Sequence, residues 1–144
     1  MSRDQSLYII DIFIAFNKIQ RYTASFKNPS DFLHSELEWD ATIRELEIIG
    51  EACNSLLKLE TIDEKYRRIV DFRNQIIHGY FGIDEEIVWD VITNKLEPFS
   101  DDLKKVSYDK NIDLENAIVS AMIENEKNQK VSNFLRLLKK ELVD

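Results

Sequence analysis

Arg73, Asn74, His78 and Tyr80 are the side chains in this 144-residue sequence whose types and spacing suit chemistry. Histidine titrates near neutrality, so it can take up or give a proton during a reaction at physiological pH. Arginine stays charged and presents a fork of N–H donors that matches two oxygens of one anion. An R-x4-H pair therefore suits a reaction that moves a proton while negative charge builds on oxygen. Five residues along a helix is about 140° around its axis, so the two side chains of one chain diverge. A two-fold dimer could gather both pairs around one anion.

The stretch from Arg73 to Asp84 holds two of the three glycines and one of the two histidines. At about 100° per residue, Tyr66, Ile69, Arg73, Ile76 and Tyr80 fall on one stripe of a helix. Arg73 thus sits on an apolar face, where an unpaired charge is costly and a partner is required. Gly79 suits the left-handed position that closes a helix, with His78 in its last turn. A cation is favoured there by the helix dipole.

Other elements must place this helix. A first helix is expected over 4–26, with Ser2 to Gln5 as a capping box and Ile9, Ile12, Phe13, Phe16 and Ile19 as its core face. Asn28 to Asp31 reads as a turn, and 32–39 as a loop or early helical turn that carries His34 on the surface. A second helix is expected over 36–59, with Ser35 and Glu38 at its cap. Trp39, Ile43, Leu46, Gly50, Cys53 and Leu57 follow the 4-3-4-3-4 rhythm of an antiparallel seam. Gly50 in that seam costs about 1 kcal/mol of helix stability against Ala, which a close helix approach would offset. Glu47 and Glu51 share this helix with Arg44; they form either a solvated face or a partner for Arg73 across the bundle. Thr61 and Glu64 are expected to cap the third helix, which runs to about His78.

A fourth helix is expected after Asp84, Glu85 and Glu86, with Val88, Ile92, Leu96, Phe99, Leu103 and Val106 as its apolar face. Pro98 should kink it or begin a second segment. Ser107 to Asn111 reads as a linker. The tail, 112–144, has two apolar clusters separated by the polar stretch Glu124 to Lys130, as one long or broken helix. The fold class is all-α: an up-and-down antiparallel four-helix bundle over residues 1–106, with a C-terminal helical extension over 107–144 that packs on the bundle or on a partner chain.

Composition narrows the function. The formal net charge of -8 opposes nucleic-acid binding over the whole surface, so any such activity needs a local basic cleft. Two guanidinium groups brought together by a dimer would supply one. The single Cys53 and the absence of a signal peptide point to a cytoplasmic setting. No apolar run approaches a membrane span. Two histidines far apart, with no Cys/His cluster, support neither a metal site nor a cofactor. Cys53 lies in the seam and reads as a small apolar filler rather than a nucleophile.

Arg73-Asn74-x-x-x-His78 matches the R-x4-6-H signature of the HEPN superfamily, and the extension to Tyr80 gives R-x4-H-x-Y, which resembles the HepT-like toxins. The blocks Ile43 to Ala52, His78 to Asp84 and Ile87-Val88-Trp89 are similar to that family in the expected order. The resemblance covers roughly residues 5 to 106. It implies a helical bundle that dimerises so that two motifs share a cleft, and metal-independent endoribonuclease activity as the toxin of a type VII-like toxin–antitoxin system. It also implies a minimal nucleotidyltransferase antitoxin that silences the toxin by adding AMP to the motif tyrosine, here Tyr80.

The residues fit that chemistry on their own terms. RNA cleavage without a metal uses the 2′-hydroxyl as nucleophile, with His78 as general acid or base and Arg73 clamping the phosphate. Asn74 could hydrogen-bond the imidazole or the substrate, and Tyr80 could stack on a base or bond a phosphate. A bulky anionic adduct on Tyr80 would repel RNA. The alternative is a non-catalytic nucleotide- or substrate-binding subunit of a nucleotidyltransferase. A third reading is a dimeric scaffold whose motif is purely structural.

Overall fold

A computed structural model describes residues 4–79 and 82–144. Tyr80 and Phe81, and the Ser2 and Arg3 of the expected first capping box, lie outside the described residues. All the regular secondary structure of the described residues is helical, with no strand among them. It runs α1 (Gln5–Thr23), α2 (Pro29–Leu33), α3 (Glu36–Lys58), α4 (Arg67–Ile77), α5 (Glu85–Asp90), α6 (Leu96–Asp109), α7 (Glu115–Glu124) and α8 (Gln129–Leu142). A 3₁₀ turn, Glu64–Tyr66, leads into α4, and a π-helical segment, Val91–Lys95, joins α5 to α6.

The long antiparallel pair α1 and α3 forms the centre, and α4 packs on α3. Asp4 caps α1, its carboxylate accepting from the Ser6 N–H at 2.8 Å. Ile9, Ile12, Phe13 and Ile19 are buried as the spacing predicts, but Ile10 and Ala15 are buried too. The stripe is wider than one face because α1 meets α3, α6, α7 and α8. In α3 the seam residues Trp39, Leu46, Gly50, Cys53 and Leu57 are buried, and Ile43 is half-buried.

Several local expectations change. The Asn28–Asp31 turn is instead the start of α2: Asn28 accepts from the Asp31 N–H at 2.9 Å, and Pro29 opens the helix, where a missing N–H costs nothing. Phe32 of α2 is fully buried and packs with Phe26, Trp39 and Trp89 at ring separations of 5.5, 4.9 and 6.1 Å. Thr61 does not cap the third long helix. It is buried and donates to Gln5 Oε1 at 2.7 Å, while Asp63 caps the 3₁₀ turn through the Lys65 N–H at 2.8 Å. Ser107 to Asn111 is not a linker, because α6 continues to Asp109. A buried Ser107 donates to the Leu103 carbonyl at 2.9 Å.

Pro98 falls in the first turn of α6, directly after the π-helical segment. The wider turn removes the clash that a prolyl ring would make in an uninterrupted helix. The tail breaks at Asn125–Asn128, and Asn128 caps α8 through the Val131 N–H at 3.2 Å. Leu114, Ala117, Ile118, Val131, Leu135 and Leu138 of the tail join the same apolar cluster as α1, α3 and α6.

Candidate functional site

The site is built where α4 crosses α3. A Cβ on Gly50 would lie 2.2 Å from Cβ and 2.4 Å from Cγ of Arg73. No other residue type fits there without moving a helix, which accounts for a glycine in the α3 seam. The stem of Arg73 fills this notch and is thereby fixed at its base. Its head is fixed by two further contacts: Nη2 donates to Glu51 Oε1 at 3.1 Å, and Nη1 donates to Asn74 Oδ1 at 3.2 Å. Nε is buried and has no partner among the described residues. The Arg73 side chain as a whole is 27% exposed. Each Nη nitrogen carries two N–H groups and uses one here, which leaves one on each for an incoming oxygen.

Of the two acidic residues that could meet Arg73, Glu51 does so. Glu47 pairs instead with Arg44 on its own helix at 3.5 Å. Asn74 turns its side chain to Arg73 rather than to the imidazole, and its backbone carbonyl accepts from the His78 N–H at 3.0 Å. His78 ends α4 with φ -102° and ψ 19°, and is exposed. The structure thus joins Arg73, Asn74 and Glu51 by hydrogen bonds and leaves the His78 ring apart from them among the described residues. Tyr80 is outside the described residues. His34 lies at the end of α2, exposed, with Nδ1 2.8 Å from the Ser30 carbonyl oxygen.

Gly79 does not close α4 in a left-handed conformation; the positive φ, 93°, belongs to Gly82. The helix unwinds at His78 instead, and Gly79 is crowded: a Cβ there would be 3.0 Å from the Gln75 carbonyl oxygen. Burial pushes the Cys53 thiol well above its ordinary range, so it holds no thiolate near neutral pH. Among the described residues no group of three His, Cys, Asp or Glu could hold a metal ion, and no helix is long and apolar enough to cross a membrane.

A feature absent from the sequence reading lies beside the site. A cavity of about 240 Å³ opens between α4 and the start of α6, lined by Ile69, Phe72, Leu96 and Phe99, with Tyr66 and Asp102 among its polar residues. The Tyr66 hydroxyl donates to the Asp102 carboxylate. Burial, reinforced by that carboxylate, pushes the phenol up to about 12. Contact between residues this far apart leaves no trace in spacing.

An all-α bundle with an R-x4-H pair on the end of one helix defines the HEPN class. A family model described as "Ribonuclease HepT-like" matches residues 12–106, and the chain belongs to this HepT-like family. It is similar to "Gamma-glutamylcyclotransferase and putative RNase MJ0434" of Methanocaldococcus jannaschii, 32% identical over 74% of this chain and 49% of that protein. It is also similar to "Putative RNase MJ0127" of the same organism, 37% identical over 53% of this chain and 63% of that one. "Probable ribonuclease HepT" of Thermococcus cleftensis is 29% identical over 74% of this chain and 98% of its own length. The match thus spans about half of the first relative and under two thirds of the second. No solved structure matches the chain significantly.

Proposed function

We propose that this chain is a metal-independent endoribonuclease, the toxin of a type VII-like toxin–antitoxin pair, acting as a cytoplasmic homodimer. The observation that carries the reading is the state of Arg73. The stem of an arginine is wedged in a glycine notch and its guanidinium is held at two points, with donors to spare, on a helix that ends in an exposed histidine. The names of its relatives add support.

In the proposed reaction His78 takes the proton of an RNA 2′-hydroxyl as that oxygen attacks the adjacent phosphorus. The P–O bond to the 5′-oxygen breaks, and an imidazolium returns a proton to that leaving oxygen. The products are a 2′,3′-cyclic phosphate and a 5′-hydroxyl. Arg73 neutralises charge on the non-bridging oxygens as the pentavalent arrangement forms. Asn74 holds the guanidinium, and Tyr80 contacts the RNA. A nucleotidyltransferase partner would silence the site by placing AMP on Tyr80.

Total RNA incubated with the purified protein in EDTA should be cut. Arg73→Ala and His78→Ala should each slow cutting by at least about 10²-fold while circular dichroism and light scattering report an unchanged fold and dimer. Wild-type cutting by either variant would remove the catalytic assignment.

A further inference from the structure

We infer that Glu51 is a positioning residue: it fixes the guanidinium of Arg73 from a neighbouring helix, and catalysis depends on that fix. The inference rests on the proposed role of Arg73 as phosphate clamp. Three observations lead to it. Arg73 cannot be held by its own helix alone, because the contact along α4 is a single hydrogen bond to the adjacent Asn74. Its stem is pinned against α3 by the absence of a side chain at Gly50. Glu51, the next residue on α3, supplies the carboxylate that meets Nη2 at 3.1 Å. An arginine side chain pinned at Cβ and Cγ by one residue of α3 and at Nη2 by the next has little rotational freedom left.

A carboxylate beside a phosphate-binding cation has two opposing effects. It repels the incoming phosphate, and it holds the cation in one orientation. Glu51 is 54% exposed, so water screens its repulsion. The orienting bond is short-range and directional, and screening does not remove it. A reacting geometry misplaced by about 1 Å costs on the order of 10²-fold in rate. Orientation is therefore the larger effect, and it acts on turnover rather than on RNA affinity.

The test uses full-length protein, a labelled oligoribonucleotide that it cuts in EDTA, and the 2′-O-methyl form of that oligonucleotide for affinity. Rates are normalised to the folded fraction from circular dichroism. Glu51→Ala should lower kcat by about 10- to 100-fold, with affinity for the 2′-O-methyl RNA within about twofold. Glu51→Gln keeps an oxygen acceptor for Nη2 and should stay within about fivefold of wild type. Turnover by Glu51→Ala at or above the wild-type rate would overturn the inference, since the carboxylate would then merely mask Arg73. A loss that appears wholly as weakened RNA affinity would overturn it too. The two readings fail separately. If Arg73→Ala is inactive but Glu51→Ala is not impaired, only the role of Glu51 falls; if Arg73→Ala cuts normally, the nuclease reading falls.

Discussion

Glu45 shows how one buried carboxylate sets a pH dependence. It lies between α3 and α1, nearly inaccessible, with Lys18 at 3.9 Å. Burial raises its pKa more than Lys18 and the neighbouring arginines lower it. The folded chain therefore binds this proton more tightly than the unfolded chain. Ionised Glu45 costs stability above its folded-state pKa, and the cost fades as pH falls through the window down to the unfolded value. Glu45→Gln should raise Tm at pH 7 in a thermal scan, by a margin that shrinks as the buffer is taken into the acid range. A lower Tm at pH 7 would mean that the Lys18 contact outweighs desolvation. Nothing in the sequence marks Glu45 as buried; other residues of α3 are more legible. Gly50 and Cys53 stood out because their types interrupt a regular seam, and the need of Arg73 for a partner followed from its place on an apolar stripe. That the partner is Glu51 rather than Glu47 depends on the rotation of α3 against α4, which side-chain spacing does not define.

Helix ends were the least readable elements, because several polar residues compete for each cap and tertiary contacts choose among them. Thr61 was the expected cap, but it is drawn inward to Gln5, and Asp63 takes the role. The polar residues at the end of α6 resemble a linker, yet Ser107 is buried and the helix runs on to Asp109. Both α3 and α6 end in the same device. Glu60 and Asn111 adopt φ of 59° and 53°, and the following N–H groups of Thr61 and Ile112 return to the carbonyls of Leu56 and Ser107 at 2.9 Å. Asparagine tolerates that backbone, whereas glutamate is strained in it. The Lys110 ammonium adds hydrogen bonds to the carbonyls of Glu60 and Thr61 at 3.1 and 2.8 Å, which fixes the turn after α3. Glu60→Gly should therefore stabilise the protein by on the order of 1 kcal/mol in urea denaturation, after the entropy of a freer unfolded chain is offset. Asn111→Gly serves as the comparison and should change less.

At the scale of the molecule, the open question is whether the tail is an appendage or part of the folding unit. The family match ends at residue 106, as does the bundle expected from the sequence. The packing favours one unit: Leu135 and Val131 of α8 and Ile118 of α7 are fully buried, in the same cluster as Ile9, Phe13 and Leu103. α1, which forms the central pair with α3, also carries the tail. Leu135→Ala should accordingly cost about 2–5 kcal/mol, the usual range for emptying a core leucine site. Its reach is the informative part. Trp39 and Trp89 both pack on Phe32, in the aromatic cluster of α2, α3 and α5 that contains no tail residue. If the chain unfolds as one unit, tryptophan fluorescence in Leu135→Ala must shift to lower denaturant in step with helical circular dichroism, although the substitution touches neither indole. If the tail unfolds alone, the circular dichroism will split into two phases and the tryptophan midpoint will stay at its wild-type value. The first outcome would also mean that the geometry of Arg73 against α3 depends on helices beyond the family match, through α1.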